Sequence, residues 1–83
     1  MEIEVVEVVP GEYDVTMPSH DAVRILVPPG VGVPGVAEDE MAGAVVAELI
    51  ARGRKPHGTL DVAQLVRAEP DLLDAAAARI EED

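Results

Sequence analysis

The 83-residue sequence contains no cysteine, phenylalanine or tryptophan, and Tyr13 is its only aromatic residue. Without cysteine, neither a disulfide nor a thiolate metal site can staple so short a chain. Without large aromatic side chains, the core has to be built from Val, Leu, Ile and Ala, which bury less area apiece. A domain of this length buries only about two-thirds of the surface its unfolded chain exposes. Extra buried area from a second copy or a partner subunit is therefore expected.

Positive charge is also scarce. Seventeen acidic groups face six Lys and Arg, a net charge of −11, which argues against nucleic acid and anionic membranes as partners, since both are bound by clustered cations. The acids are spread along the chain, with six among residues 1–36 and eleven among residues 37–83. They suit solubility and, equally, a basic partner protein. No apolar run approaches the ~18 residues of a membrane span, because Pro28, Pro29 and Pro34 break the longest one. Glu2, Glu4 and Glu7 stand where a signal peptide carries its cationic head, so a cytoplasmic location is expected.

What is present reads as strands first and helices second. Glu12–Met17 alternates cleanly, with Tyr13, Val15 and Met17 on one face and Glu12, Asp14 and Thr16 on the other, the pattern of a half-buried antiparallel strand. Pro10-Gly11 supplies a turn before it, and Pro18-Ser19-His20-Asp21 turns the chain into a third strand over Ala22–Val27. The first strand, Ile3–Val9, breaks the alternation. Ile3, Val5 and Val9 share a face with Glu7, whereas Val6 and Val8 occupy the other, so part of this strand is apolar on both sides. Either a bulge near Val5-Val6 shifts the register, or the second apolar face is an interaction surface.

Residues 28–36, PPGVGVPGV, form a Gly/Pro-rich connector. Gly30, Gly32 and Gly35 match the spacing of a dinucleotide-binding loop. Glu38, Asp39 and Glu40 argue against that reading, because they put three negative charges at the helix end that a pyrophosphate would need. Pro34 removes a backbone donor, and no convincing strand follows the helix to complete a βαβ unit. The alternative is a plain connector, with Gly35 as the N-cap of a helix over residues 37–52. That helix gathers Met41, Ala42, Val45, Val46, Leu49 and Ile50 on its core side and Gly43, Ala47 and Ala51 on a smooth opposite side that a second helix could approach. Gly53 stands where a C-terminal αL glycine belongs.

A short helix is predicted from an Asp61 cap, with Gln64 placed to complete a capping box. A third follows Pro70 with a stripe of Leu72, Leu73, Ala76 and Ile80, and the acidic end Glu81-Glu82-Asp83 is expected to fray.

Catalytic patterns are weak. Ser19-His20-Asp21 contains the residue types of a hydrolase triad, but contiguous side chains do not converge. His20, Asp21, His57 and Asp61 do not fix a metal site. Arg52, Arg54, Lys55 and His57 form a basic cluster at a helix C-terminus, suited to the dipole or to an acidic partner.

The sequence thus predicts one α+β domain over residues 1–83, with a three-stranded antiparallel meander in residues 1–27, the connector, and one long and two short helices in residues 37–83. It predicts a non-catalytic interaction module with no cofactor or metal, acting as a homodimer or as a subunit of an assembly, with Val6, Val8 and Leu26 as partner-binding residues. Two further readings stand beside it: a peptide- or substrate-recognition module serving an enzyme in trans, and an acidic inhibitor or antitoxin masking a basic surface.

Overall fold

A computed structural model describes residues 2–82. It has an α+β fold in which β1 (Glu4–Val9), β2 (Glu12–Thr16) and β3 (Val23–Leu26) precede α1 (Glu38–Ala51), β4 (Gly58–Asp61), α2 (Val62–Ala68) and α3 (Leu72–Glu82). The sheet runs β1-β2-β3-β4, antiparallel through the first three strands and parallel between β3 and β4.

The meander is present, but the sheet is mixed and four-stranded instead of three-stranded and antiparallel. Gly58-Thr59-Leu60-Asp61 is too short to show an alternating pattern. It becomes a strand by pairing with β3, from Val23↔Gly58 to Leu26↔Asp61. The segment after the connector is therefore not wholly helical. β3, α1 and β4 form a βαβ unit, which overturns the expectation that no strand follows α1.

Local chemistry accounts for the elements that were foreseen. Tyr13 and Val15 of β2 and Met17 just after it are buried, as are Val23 and Ile25 of β3 and Val27 just after it, so one face of the meander is core; fully burying each such Val or Ile side chain is worth about 1.5–3 kcal/mol. The β1–β2 turn needs Gly11. Its φ is 85°, and a Cβ there would stand 3.1 Å from the Val27 carbonyl oxygen, whose own amide donates to the Gly11 carbonyl at 2.8 Å. At the end of α1, Gly53 N–H donates to the Ile50 carbonyl at 2.9 Å and Arg54 N–H to the Leu49 carbonyl at 3.0 Å. With Gly53 at φ 81°, this is the Schellman arrangement.

The start of α1 differs from expectation. Its N-cap is Ala37, not Gly35, and no side chain caps it; Glu38, Asp39 and Glu40 in the first turn complement the dipole instead.

α1 is also buried on two sides where one core face was expected. Ala42 and Val46 pack on the sheet with Tyr13, Val15 and Ile25. Met41, Ala44, Val45 and Leu49 form a second cluster with Leu72 and Ala76 of α3. α1 is thus a middle layer between sheet and α3, which explains why apolar residues surround so much of it.

Asp61 caps α2 as foreseen, accepting from Ala63 N–H at 2.8 Å. Leu72 and Ala76 of the α3 stripe are buried, and Leu73 and Ile80 are half-buried. Of the acidic end expected to fray, Asp83 lies outside the described residues. Among the described residues, no helix is long and apolar enough to cross a membrane.

Candidate functional site

β1 is an edge strand, paired with β2 on one side only. The ladder pairs Val5↔Val15, Val6↔Asp14 and Glu7↔Tyr13, then shifts so that Val9 faces Glu12. The irregularity therefore falls at Val8, not near Val5-Val6. It lies beside the two-residue Pro10-Gly11 turn; Pro followed by Gly with φ near +80° belongs to type II turns, whose twist does not match a hairpin's strands. An extra residue next to the turn absorbs the mismatch.

The shift decides what β1 shows to solvent. Ile3, Val5 and Glu7 lie on the side of Tyr13 and Val15, while Val6 lies on the helix-free side with Asp14 and Arg24. After the bulge, Val9 joins the helix-free side, opposite Glu12. Among the described residues, the exposed large hydrophobic side chains are Val6 (58 %), Val8 (43 %) and Val9 (44 %), all in β1.

Leu26 shares the helix-free face, in the row Val9, Glu12, Leu26. Two strand spacings, about 10 Å, separate it from β1, and it is half-buried. Leu26 therefore borders the valine patch without touching its centre. Between them Arg24 donates to Asp14 at 2.8 and 3.3 Å, and this pairing holds the Asp14 carboxyl below the ordinary aspartate range.

On the helix side of β1 lies an open groove of about 890 Å³. Its floor is the flank of α1 at Gly43, Ala44 and Ala47; Ile3 and Val5 form one wall, and Arg79 and Ile80 of α3 form the other. The smooth side of α1 offered room for a second helix. Instead, Gly43 receives β1: a Cβ there would stand 3.0 Å from Val5 Cγ2. Ala47 and Ala51 remain along the open groove. Asp39 and Glu40, both exposed, sit on its lining. Near this end, burial raises the Tyr13 phenol above its ordinary value, and the negative charges of Glu38, Glu7 and Asp39 raise it further.

The other candidates resolve into structural roles. In the connector Val31, Val33 and Val36 turn inward onto the two core clusters. Gly30, Gly32 and Gly35 all have positive φ, and a Cβ on any of them would meet nothing within 4 Å. The glycines thus free the backbone to present alternate valines to the core. Although the loop sits in a βαβ unit, the helix behind it opens with three exposed carboxylates, so the phosphate position is electrostatically hostile.

Ser19, His20 and Asp21 are exposed in the β2–β3 turn. Because Gly58 pairs with Val23, His57 lies closer to that turn than chain order implied. Among the described residues, however, no group of three metal-ligating side chains converges.

Two members of the basic cluster, Arg52 and Arg54, are engaged within the fold. Arg52 donates to Asp71 Oδ2 at 2.8 Å, to Glu69 Oε1 at 3.0 Å and to Glu48 Oε2 at 3.4 Å, and Arg54 pairs with the other Glu69 oxygen. These contacts clasp the end of α1 to the α2–α3 junction. The Arg52 guanidinium, bonded first to Asp71 and then to Glu69, is held more firmly protonated than usual, and Asp71 is pushed below the ordinary aspartate range.

No protein-family model, curated protein or solved structure matches the chain. Sequence reasoning found Val6 and Val8 through the broken alternation of β1. It placed Val9 on the wrong face, and it did not foresee the groove, whose walls come from segments about 75 residues apart.

Proposed function

We propose that this chain is a non-catalytic protein-interaction module whose contact element is β1. The observation carrying the reading is the collection of exposed Val6, Val8 and Val9 on one edge strand, paired on one side only. Natural edge strands are normally blunted by charge, shortening or cover, and exposed apolar side chains in a contiguous patch mark places where another chain sits. The partner is a second copy or another subunit, and Leu26 lies at the border of the contact. The recognition of an extended peptide gains support from the free edge and the groove beside it.

The test compares the parent protein with Val6→Lys/Val8→Lys by light scattering and circular dichroism. The reading expects a folded variant that has lost association, with salt affecting the parent's association little, as for an apolar contact. Unchanged association of the double variant would overturn it. Global unfolding would assign these valines to the protein's own core and overturn it equally.

A further inference from the structure

We infer that β1 accepts an added strand from a partner protein, an extended segment alternating basic and apolar residues, whose basic side chains lie along the groove between β1 and α3 while its apolar ones cover Val6 and Val9 on the helix-free face. The inference rests on the interaction reading of β1 and specifies its mode and the chemistry of its partner.

Three features of one region converge on it. First, among the described residues β1 pairs with β2 alone, so along Glu4–Val9 the backbone groups on the outer side have no ladder partner there, and an extended chain satisfies them. Second, the groove lies beside that same edge. A strand set one spacing, about 4.8 Å, outside β1 directs every second side chain to the helix side of the sheet, where the 890 Å³ groove is walled by Ile3, Val5 and Ile80 and floored by Gly43 and Ala47. The aliphatic stems of lysine or arginine suit such a surface and the small floor residues leave them room, while the alternate, apolar side chains fall on the helix-free face beside exposed Val6 and Val9.

Third, the charges select the partner. Glu7 lies on the helix side of β1 and Asp39 and Glu40 line the groove, all exposed, where the basic side chains run; exposed Glu4 lies on the helix-free face. The cation on the lining, Arg79, is already bound to Glu48 at 3.0 Å. The edge therefore presents negative potential on a chain whose net charge is −11. β1 of a second copy, EVVEVV, supplies no cation to meet these carboxylates. Lysine or arginine at alternate positions of a different chain turns the same carboxylates into attraction.

The probe is a short synthetic peptide of alternating lysine and valine, added to the intact protein. Its counterparts are the same peptide with glutamate for lysine and a lysine–leucine peptide of helical period. Binding is read by titration and by amide hydrogen exchange of β1. Added protection of β1 amides by the lysine–valine peptide supports the inference, provided the glutamate peptide does not bind. Ala47→Trp fills the groove without touching the β1 ladder and should weaken the peptide by at least about tenfold, with unchanged circular dichroism.

No binding at millimolar peptide overturns the inference, as does equal binding of the glutamate or helical peptide, or protection elsewhere than β1. Should Ala47→Trp fail to fold, β1 protection in the parent protein still decides. Self-association that the groove-filling variant abolishes assigns the groove to a second copy and overturns the basic-strand partner. If Val6→Lys/Val8→Lys removes association while the peptides leave β1 amides unprotected, the contact reading stands and strand addition falls.

Discussion

The two faces of the sheet obey different physics although they are made by the same residues in alternation. On the helix side, Tyr13, Val15, Val23 and Ile25 are sealed against Ala42 and Val46, and each side chain gains free energy by leaving water. On the other side, Val6 and Val9 stand with Glu12, the Asp14–Arg24 pair and Thr16, and none of the described helices covers them. The covered face holds the fold together; the open face and its edge leave apolar side chains in water.

The comparison breaks most sharply at neighbouring residues of β2. Val15→Asp puts an unpaired charge into the aliphatic core and should cost about 3–5 kcal/mol, close to the whole stability of a domain this small. Thr16→Asp, one residue along on the open face, should be tolerated. Equal losses of stability at the two positions in a urea titration would mean that the faces are not distinct.

The next largest effect sharpens how the covered face ends at its edge. Gly43→Leu places a side chain where Val5 and Ile3 lie against α1 and should cost about 1–3 kcal/mol through overpacking. The loss should be local. Amide exchange should rise in β1 before β2, and a uniform rise across the sheet would show that β1 is not seated on Gly43.

Tyr13 offers a spectroscopic test of burial, because it is the only aromatic residue. Burial favours the neutral phenol, and Glu38, Glu7 and Asp39 oppose its ionisation. The stability from this raised folded pKa is fully present below the unfolded tyrosine midpoint and is lost as pH rises through the folded one. Phenolate absorbance should therefore titrate at higher pH in the folded protein than in denaturant. Coincident midpoints would place the ring in water.

The smallest effect belongs to the open face. Asp14 is held below the ordinary range by Arg24, so its contribution is present above the unfolded aspartate pKa and fades as pH falls through the lower folded value. Asp14→Asn should lower the melting temperature slightly at neutral pH, with the difference closing in acid. Exposed pairs are worth little, and a loss as large as that at Val15 would mean the open face is covered after all.

Much of this was legible because it is local. The alternation of β2, the Pro10-Gly11 turn, the Asp61 cap and the Gly53 terminus each depend on residues a few positions apart, and each is found where the pattern put it. Val6 and Val8 were legible for the same reason, since a broken period of two shows in the sequence. The bulge was misplaced because the register of β1 depends on how the turn's twist is absorbed against β2.

What the sequence alone determined is the aliphatic, acidic character of the chain and the elements whose hydrogen bonds close within a turn or a hairpin. The tertiary structure decided the rest, because each remaining feature needs a partner distant in the chain. Gly58–Asp61 is a strand only because β3 offers an unpaired side. α1 is buried twice only because α3 docks on the face turned away from the sheet. Arg52 becomes a clasp only when the α2–α3 junction brings Glu69 and Asp71 to it. The groove exists only where Ile3, Val5, Gly43 and Ile80 come together, since no periodicity along one segment encodes the distance between two.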